Sequence, residues 1–222
     1  MTPARGIRRL AIVTELDDVR RTRDGYDEVA ELYTTMFEHA LAGDPFDRAV
    51  LGVFAERVGA GTVADLGCGP GRITTHLASL GLDVFGIDLS PEMIRLARAA
   101  RPDLRYEVGS MESLPIADGA LAGISAWYSI IHTPPRRVPG IVAEFRRVLG
   151  DGGQLVLAFQ ATHADTVQTH DHKVAPSFVW PTARLEEVLR DGGFRTVARL
   201  VREPDTEAHP QGYVLAERSP AS

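Results

Sequence analysis

The hydrophobic positions change period along the chain. From Tyr26 to Leu41 they fall at helical spacing, with Tyr26, Val29, Ala30, Tyr33, Met36, Phe37, Ala40 and Leu41 on one face. Asp24 is the expected N-cap and Gly43 the stop. Residues 1–23 show no such stripe and mix charges of both signs, so they read as a loosely held arm with at most a short helical turn. Asp44-Pro45 opens a second helix, with Phe46, Ala49, Val50, Val53, Phe54 and Arg57 on one stripe. Proline's fixed φ suits a first helical position.

From Thr62 onward, short apolar runs alternate with helical stripes. Strands are expected at Thr62–Leu66, Asp83–Ile87, Leu104–Val108, Leu121–Tyr128 and Gln154–Phe159. Between them lie a helix over Pro70–Leu80 closed by Gly81, one capped by Ser90 with Pro91 behind it, and one carrying Val138, Ile141, Val142, Phe145, Val148 and Leu149. Asp151-Gly152-Gly153 reads as a turn, and a further helix spans Thr182–Arg190 before Gly192-Gly193. Two late strands, Arg195–Val201 and Gln211–Glu217, have no helix between them and read as an antiparallel pair. Repeated β-α units demand a mostly parallel sheet covered by helices on both faces. No linker, repeat or low-complexity tract interrupts the pattern, so one domain is expected over 1–222, with an arm and helical lid at 1–58 and the core at 59–222.

Composition narrows the partners. The 222 residues carry a formal net charge of −6, which disfavours a nucleic-acid backbone, and no block of Lys/Arg offsets it. The single cysteine, Cys68, excludes an intramolecular disulfide. The apolar run Leu10–Val13 is too short for a signal segment and nothing approaches a membrane span, so a cytoplasmic protein is the default expectation.

The chemistry is organised around Thr62–Arg72, TVADLGCGPGR. A strand, a glycine turn and a helix start make a cradle, because glycine tolerates positive φ and the helix N-terminus offers unpaired N–H groups. A dinucleotide fingerprint would need glycine where Arg72 stands, and no G-K-[ST] follows to make a phosphate loop. Asp88 ends the second strand 21 positions beyond Gly67, where a doubly wound sheet places an acid to accept from ribose hydroxyls. The loop GSMESLP, Gly109–Pro115, follows the third strand, where a base could be sandwiched.

Taken in order over roughly Val63–Phe159, these segments resemble the class I S-adenosylmethionine (SAM)-dependent methyltransferases. VADLGCGPG is similar to that family's first motif, GIDLSPEMI to its ribose-binding acid and helix, GSMESLP to its adenine loop, and YDEVAELYTTMF to the lid helix of its small bacterial members. AWYSIIHTPP, SFVWP and PQGYVLAE resemble a subgroup common in actinobacteria. The resemblance implies a Rossmann-like, doubly wound, mostly parallel seven-stranded α/β sheet with an antiparallel last strand and an N-terminal helical lid. It also implies SAM as cofactor and S-adenosylhomocysteine (SAH) as product.

By that resemblance the methionine end of SAM sits at Gly67, Gly69 and Gly71. Asp65 meets the amino group directly or through water, and Arg72 either meets the carboxylate or forms a structural salt bridge. Asp88, Leu89 and Met93 serve the ribose side. Many relatives carry Asp where Ser110 stands, so Ser110 or Glu112 replaces it, or Met111 supplies backbone and apolar contact. Cys68 is assigned no chemistry.

His132, just past the fourth strand, is the candidate general base or acceptor contact, since ligands bind outside the carboxyl ends of parallel strands. Tyr26 and Tyr33 share a helix face and suit a lid over the cofactor. Trp127 and Tyr128 point to opposite faces if the strand runs regularly, so at most one is expected to reach cofactor or acceptor. The segment His163–Trp180 reads as an acceptor-pocket or gating loop lined by His170, Phe178 and Trp180, the alternative for the two aromatic residues being packing beneath it. Its His163, His170, His172, Asp165 and Asp171 match no zinc template, so no metal is expected. The first reading is methyl transfer to N or O of a small-molecule acceptor by a monomer or homodimer. The alternatives are a SAM/SAH-binding protein without turnover and a nicotinamide-dependent reductase on a variant Rossmann fold.

Overall fold

The computed structural model describes residues 16–220. Five parallel strands form its centre: β1 (Thr62–Leu66), β2 (Asp83–Asp88), β3 (Arg105–Val108), β4 (Leu121–Trp127) and β5 (Leu149–Thr162). They lie in the order β3-β2-β1-β4-β5. Two further strands, β8 (Phe194–Arg202) and β9 (Gln211–Arg218), extend the sheet beyond β5, with β9 antiparallel to both β5 and β8. This is the mostly parallel α/β sheet with an antiparallel edge that the pattern implies.

Alternation along the strands sends side chains to two helical layers. Ala64, Leu66, Ile124 and Leu157 pack with Ile141, Phe145, Leu185 and Leu189 of α6 (Val138–Val148) and α7 (Thr182–Asp191). On the other face Val63, Val84 and Val156 meet Leu51 and Phe54 of α3 (Pro45–Val58) and Ile73 and Leu77 of α4 (Arg72–Ser79). Helix α5 (Pro91–Ala100) adds Ile94 and Ala97 against Cys68 and Tyr106. Two of the helix starts read from sequence are capped as expected: Asp44 accepts from the Phe46 and Asp47 N–H groups, and Ser90 from Met93 N–H.

Four expectations need correction. The first helix, α1 (Asp17–Phe37), starts before Asp24, which lies within it beside Arg23. Residues 17–23 of the presumed arm are therefore helical, whereas residues 1–15 of that arm lie outside the described residues. The helix also stops short of Gly43, and the separate short helix α2 (Ala40–Gly43) follows. The acceptor loop contains a hairpin, β6 (Gln168–His170) paired antiparallel with β7 (Ser177–Pro181). Finally, the residues expected to turn at Asp151–Gly153 stay within β5, absorbed by a shift of its register against β4.

Tyr213 of β9 ties the sheet to α3. Its hydroxyl donates to Asp47 Oδ1 at 2.7 Å, and both residues are buried. Burial raises the Asp47 pKa and this bond opposes the rise. Removing the hydroxyl leaves a buried carboxyl oxygen unsatisfied, so Tyr213→Phe should lower unfolding stability by about 1–3 kcal/mol. Urea denaturation with an unchanged slope would register that loss, and a midpoint equal to wild type would contradict it.

Candidate active site

The cleft forms where β1 and β2 end side by side. The carbonyl of Ile87 accepts from the N–H groups of Gly67 (2.7 Å) and Cys68 (3.1 Å), which pins the glycine loop to the neighbouring strand. Asp88 Oδ2 then accepts from Gly69 N–H, and Oδ1 from Ser90 N–H, each at 2.8 Å. Burial raises the Asp88 pKa, and these N–H bonds pull it back. A carboxylate has about four lone-pair directions, so capacity remains for hydroxyl donors in the cleft.

Gly67 has φ 72°, and a Cβ there would stand 2.3 Å from Cβ of Ser129. Only glycine fits both the conformation and the contact. Gly67→Ala should displace the loop and lose at least about 1–3 kcal/mol of stability. The check is chemical denaturation together with SAH titration, and retention of both at wild-type values would refute this role.

The cleft encloses about 880 Å³ between atoms, part of it open to solvent. Gly67, Gly69, Asp88, Leu89 and Met93 line it on one side, and Ser110, Met111 and Glu112 on another. Tyr26 and Tyr33 of α1 lie over it, their rings edge to face with centroids 5.9 Å apart. Trp127, Tyr128 and His132 complete the wall.

Both Trp127 and Tyr128 reach the cleft, which corrects the expectation that at most one would. Tyr128 adopts φ 55°, so regular strand alternation ends at Trp127 and the next side chain returns to the same side. Such backbone strain in a non-glycine residue clusters at ligand sites.

Several named residues lie elsewhere. Asp65 is buried at 1% exposure and its Oδ2 accepts from the Thr74 hydroxyl at 2.7 Å, turned behind the loop toward α4. Burial lifts its pKa to about 6, with the Thr74 bond opposing. It makes no direct wall of the cleft. Gly71 starts α4 with φ 84°, and the Tyr106 hydroxyl occupies the place a Cβ would take, 2.6 Å away. Its requirement is packing. Arg72 and His170 line a second cavity and not this one. Phe178 is half-buried against the main core and lines neither, while Trp180 is 3% exposed inside that core because β7 packs onto the end of β5. Trp180 therefore cannot wall an acceptor.

Sequence reasoning missed a set of polar fasteners. Arg137 bridges Asp18 of α1 and Glu112 of the loop after β3, and all three line the cleft. Asp27 accepts from the Ser90 hydroxyl at 2.5 Å and from Glu92 N–H at 3.2 Å, joining α1 to the start of α5. Ion pairs between distant segments leave no spacing signal.

His132 is 8% exposed. Its Nδ1 lies 3.0 Å from the Pro176 carbonyl oxygen and its Nε2 3.0 Å from the Tyr26 hydroxyl. A carbonyl only accepts, so this geometry assigns the proton to Nδ1, and Nε2 accepts from Tyr26. Burial holds its pKa down to about 4, against the pull of the Pro176 carbonyl, and nearby His172 lowers it further. The ring is neutral at pH 7.

A lowered histidine pKa means the unfolded chain binds more protons between pH 6.5 and 4, so stability falls as pH drops through that window. From pH 7.5 to 5, His132 should account for about 2 kcal/mol of the loss. His132→Gln should therefore lose less on acidification than wild type, read by thermal unfolding at the two pH values. Equal losses would show that His132 is not the titrating group. Among the described residues no helix is long and apolar enough to cross a membrane, and no group of three His, Cys, Asp or Glu is placed to hold a metal.

Known proteins are similar to this chain in sequence and fold. A family model described as "Methyltransferase domain" matches residues 63–153, the span from β1 into β5. An uncharacterized methyltransferase of Mycobacterium tuberculosis is 38% identical over 133 residues, 59% of this chain and 47% of that protein. The chain thus spans about half the length of the first relatives it matches. The demethylmenaquinone methyltransferase of Beutenbergia cavernae is 32% identical over 188 residues, 75% of this chain and 74% of that protein. The crystal structure of Burkholderia thailandensis 1,6-didemethyltoxoflavin-N1-methyltransferase, with 1,6-didemethyltoxoflavin and SAH bound, shares the fold with a TM-score of 0.74 at 16% identity, covering 90% of this chain and 88% of that one. The chain belongs to the class I SAM-dependent methyltransferase family.

Proposed function

We propose that this protein transfers a methyl group from SAM to a nitrogen or oxygen of a small-molecule acceptor, giving SAH. The observation that carries the reading is the convergence, under one lid, of the Gly67–Gly69 loop, Asp88 and the Gly109–Glu112 loop on a single cleft. When bound, the cofactor supplies a methyl on a positively charged sulfur, open to in-line attack. The residues fit it. Asp88 has lone pairs left for a ribose diol, and the loop has no side chain at Gly67 or Gly69 to block close approach. Ser110, whose hydroxyl accepts from Glu112 N–H at 3.2 Å, shapes the loop against which a base would lie.

The chain's own work is orientation and exclusion of water. Tyr26 and Tyr33 cover the cleft from α1, and holding the reactants aligned lowers the barrier without covalent chemistry. His132 is a weak base in this setting, and its acceptor nitrogen is engaged by Tyr26. We assign it the role of positioning Tyr26. A small-molecule acceptor accords with the names of the relatives, a demethylmenaquinone methyltransferase and a 1,6-didemethyltoxoflavin methyltransferase.

Calorimetry against SAM, SAH and NADH, repeated on Asp88→Ala, tests the cofactor assignment. SAM and SAH should bind, NADH should not, and Asp88→Ala should weaken SAH by about 10- to 100-fold, the loss of charge-assisted hydrogen bonds. Binding of NADH in preference to SAM would overturn it. Binding of SAH with no turnover of any acceptor would favour a protein that only senses the cofactor.

A further inference from the structure

A second cavity of about 1,070 Å³ between atoms, partly open to solvent, adjoins the cofactor cleft. Tyr26, Tyr33 and Tyr128 line both. If the cleft holds SAM, the acceptor must meet the methyl group at that shared wall, and the proposal for this second cavity therefore rests on the methyltransferase reading.

The walls are flat rings. Along α1, Tyr26, Tyr33 and Phe37 form a ladder, with Tyr33 and Phe37 centroids 4.5 Å apart. Elsewhere on the lining the His170 and His209 rings stand nearly perpendicular, 4.7 Å between centroids, and His172 packs on His132 at 5.0 Å. Aromatic walls favour a planar guest, stacked on some rings and edge-on to others.

Its charged groups are almost all engaged. Arg202 is paired with Glu207 and, at 3.4 Å, with Asp44, which also caps α3. Asp47 takes the Tyr213 hydroxyl. Arg72 is the exception: at the first position of α4, it makes no hydrogen bond or ion pair with any described residue. Its charge still reaches Tyr33 and Asp47, where it opposes the pKa rise caused by burial. A guanidinium presents N–H donors in a planar fork that matches a carboxylate. The acids Asp44, Asp47 and Glu207 on the same cavity would repel a dianion such as phosphate. An unpaired cation set among them suits a single negative charge.

We propose that this cavity is the acceptor site and that it takes a planar aromatic compound carrying a carboxylate, bound by Arg72. The carboxylate is a recognition handle at the Arg72 end, and the atom that receives the methyl faces Tyr26 and Tyr128. Arg72 is then a specificity residue for the acceptor and not an anchor for the cofactor.

The test uses the full chain saturated with SAH, titrated with 2-naphthoate and with the neutral, near-isosteric 2-naphthamide. The carboxylate should bind at least about tenfold more tightly. Arg72→Gln should abolish that preference while SAH affinity stays within about threefold, and Arg72→Lys, which keeps charge without the fork, should retain part of it. Circular dichroism and SAH binding show that each variant is folded. Equal affinity for acid and amide, or binding of neither by protein that still binds SAH, overturns this proposal and leaves the methyltransferase reading standing. Loss of SAH affinity in a folded Arg72→Gln reassigns Arg72 to the cofactor and also overturns it. Failure of wild-type protein to bind SAH brings down both readings.

Discussion

The cleft depends on one carbonyl and one carboxylate at the end of β2. Ile87 holds the first two N–H groups of the glycine loop, and Asp88 holds the third while capping the turn into α5. The parallel register that sets Leu66 beside Ile87 makes this possible. A loop with left-handed φ at Gly67, Gly69 and Gly71 rests on the conformational freedom of glycine. Fastened to the neighbouring strand, it becomes a fixed floor made of backbone. The core helices and the sheet serve mainly to keep those two strand ends in register.

The lid is held by a different kind of force. Within α1 only Ala30 is buried, so little apolar area ties this helix to the core. Its attachments are polar: Asp18 to Arg137, Asp27 to Ser90, Glu31 to Arg95 and Tyr26 to His132. Exposed pairs such as Glu31–Arg95 add little, since solvent screens them. Elements with few apolar contacts open at low cost. A backbone floor fastened at three N–H groups, under a cover held mainly by polar contacts, suits an enzyme that must admit ligands and exclude water.

These two regimes also explain what the sequence made legible. The floor was readable because its requirements are local. Gly67, Gly69 and Asp88 are demanded by backbone geometry a few residues away, and the caps Asp44 and Ser90 follow the same rule. The lid's first turns were not, because Asp17–Arg23 are held by polar partners and carry no stripe. The assignment of Trp180 to the acceptor failed for a related reason. An aromatic residue in a presumed loop reads as a pocket wall, yet pairing of β7 with β5 carries it into the core. Tyr128 shows the opposite error, since one left-handed residue undid the alternation on which the face assignment rested.

The neutrality of His132 connects the floor, the lid and the chemistry. Methyl donation starts from a cation at sulfur, and a protonated imidazole beside Tyr26 would repel it. The burial that keeps His132 uncharged leaves a neutral acceptor nitrogen, which the Tyr26 hydroxyl satisfies when α1 is closed. Tyrosine rings then face the junction of the two cavities, and an aromatic face attracts a cation. In the proposed arrangement the guanidinium of Arg72, without a hydrogen bond or ion pair to any described residue, stands on the acceptor side and adds no positive charge to the cofactor cleft.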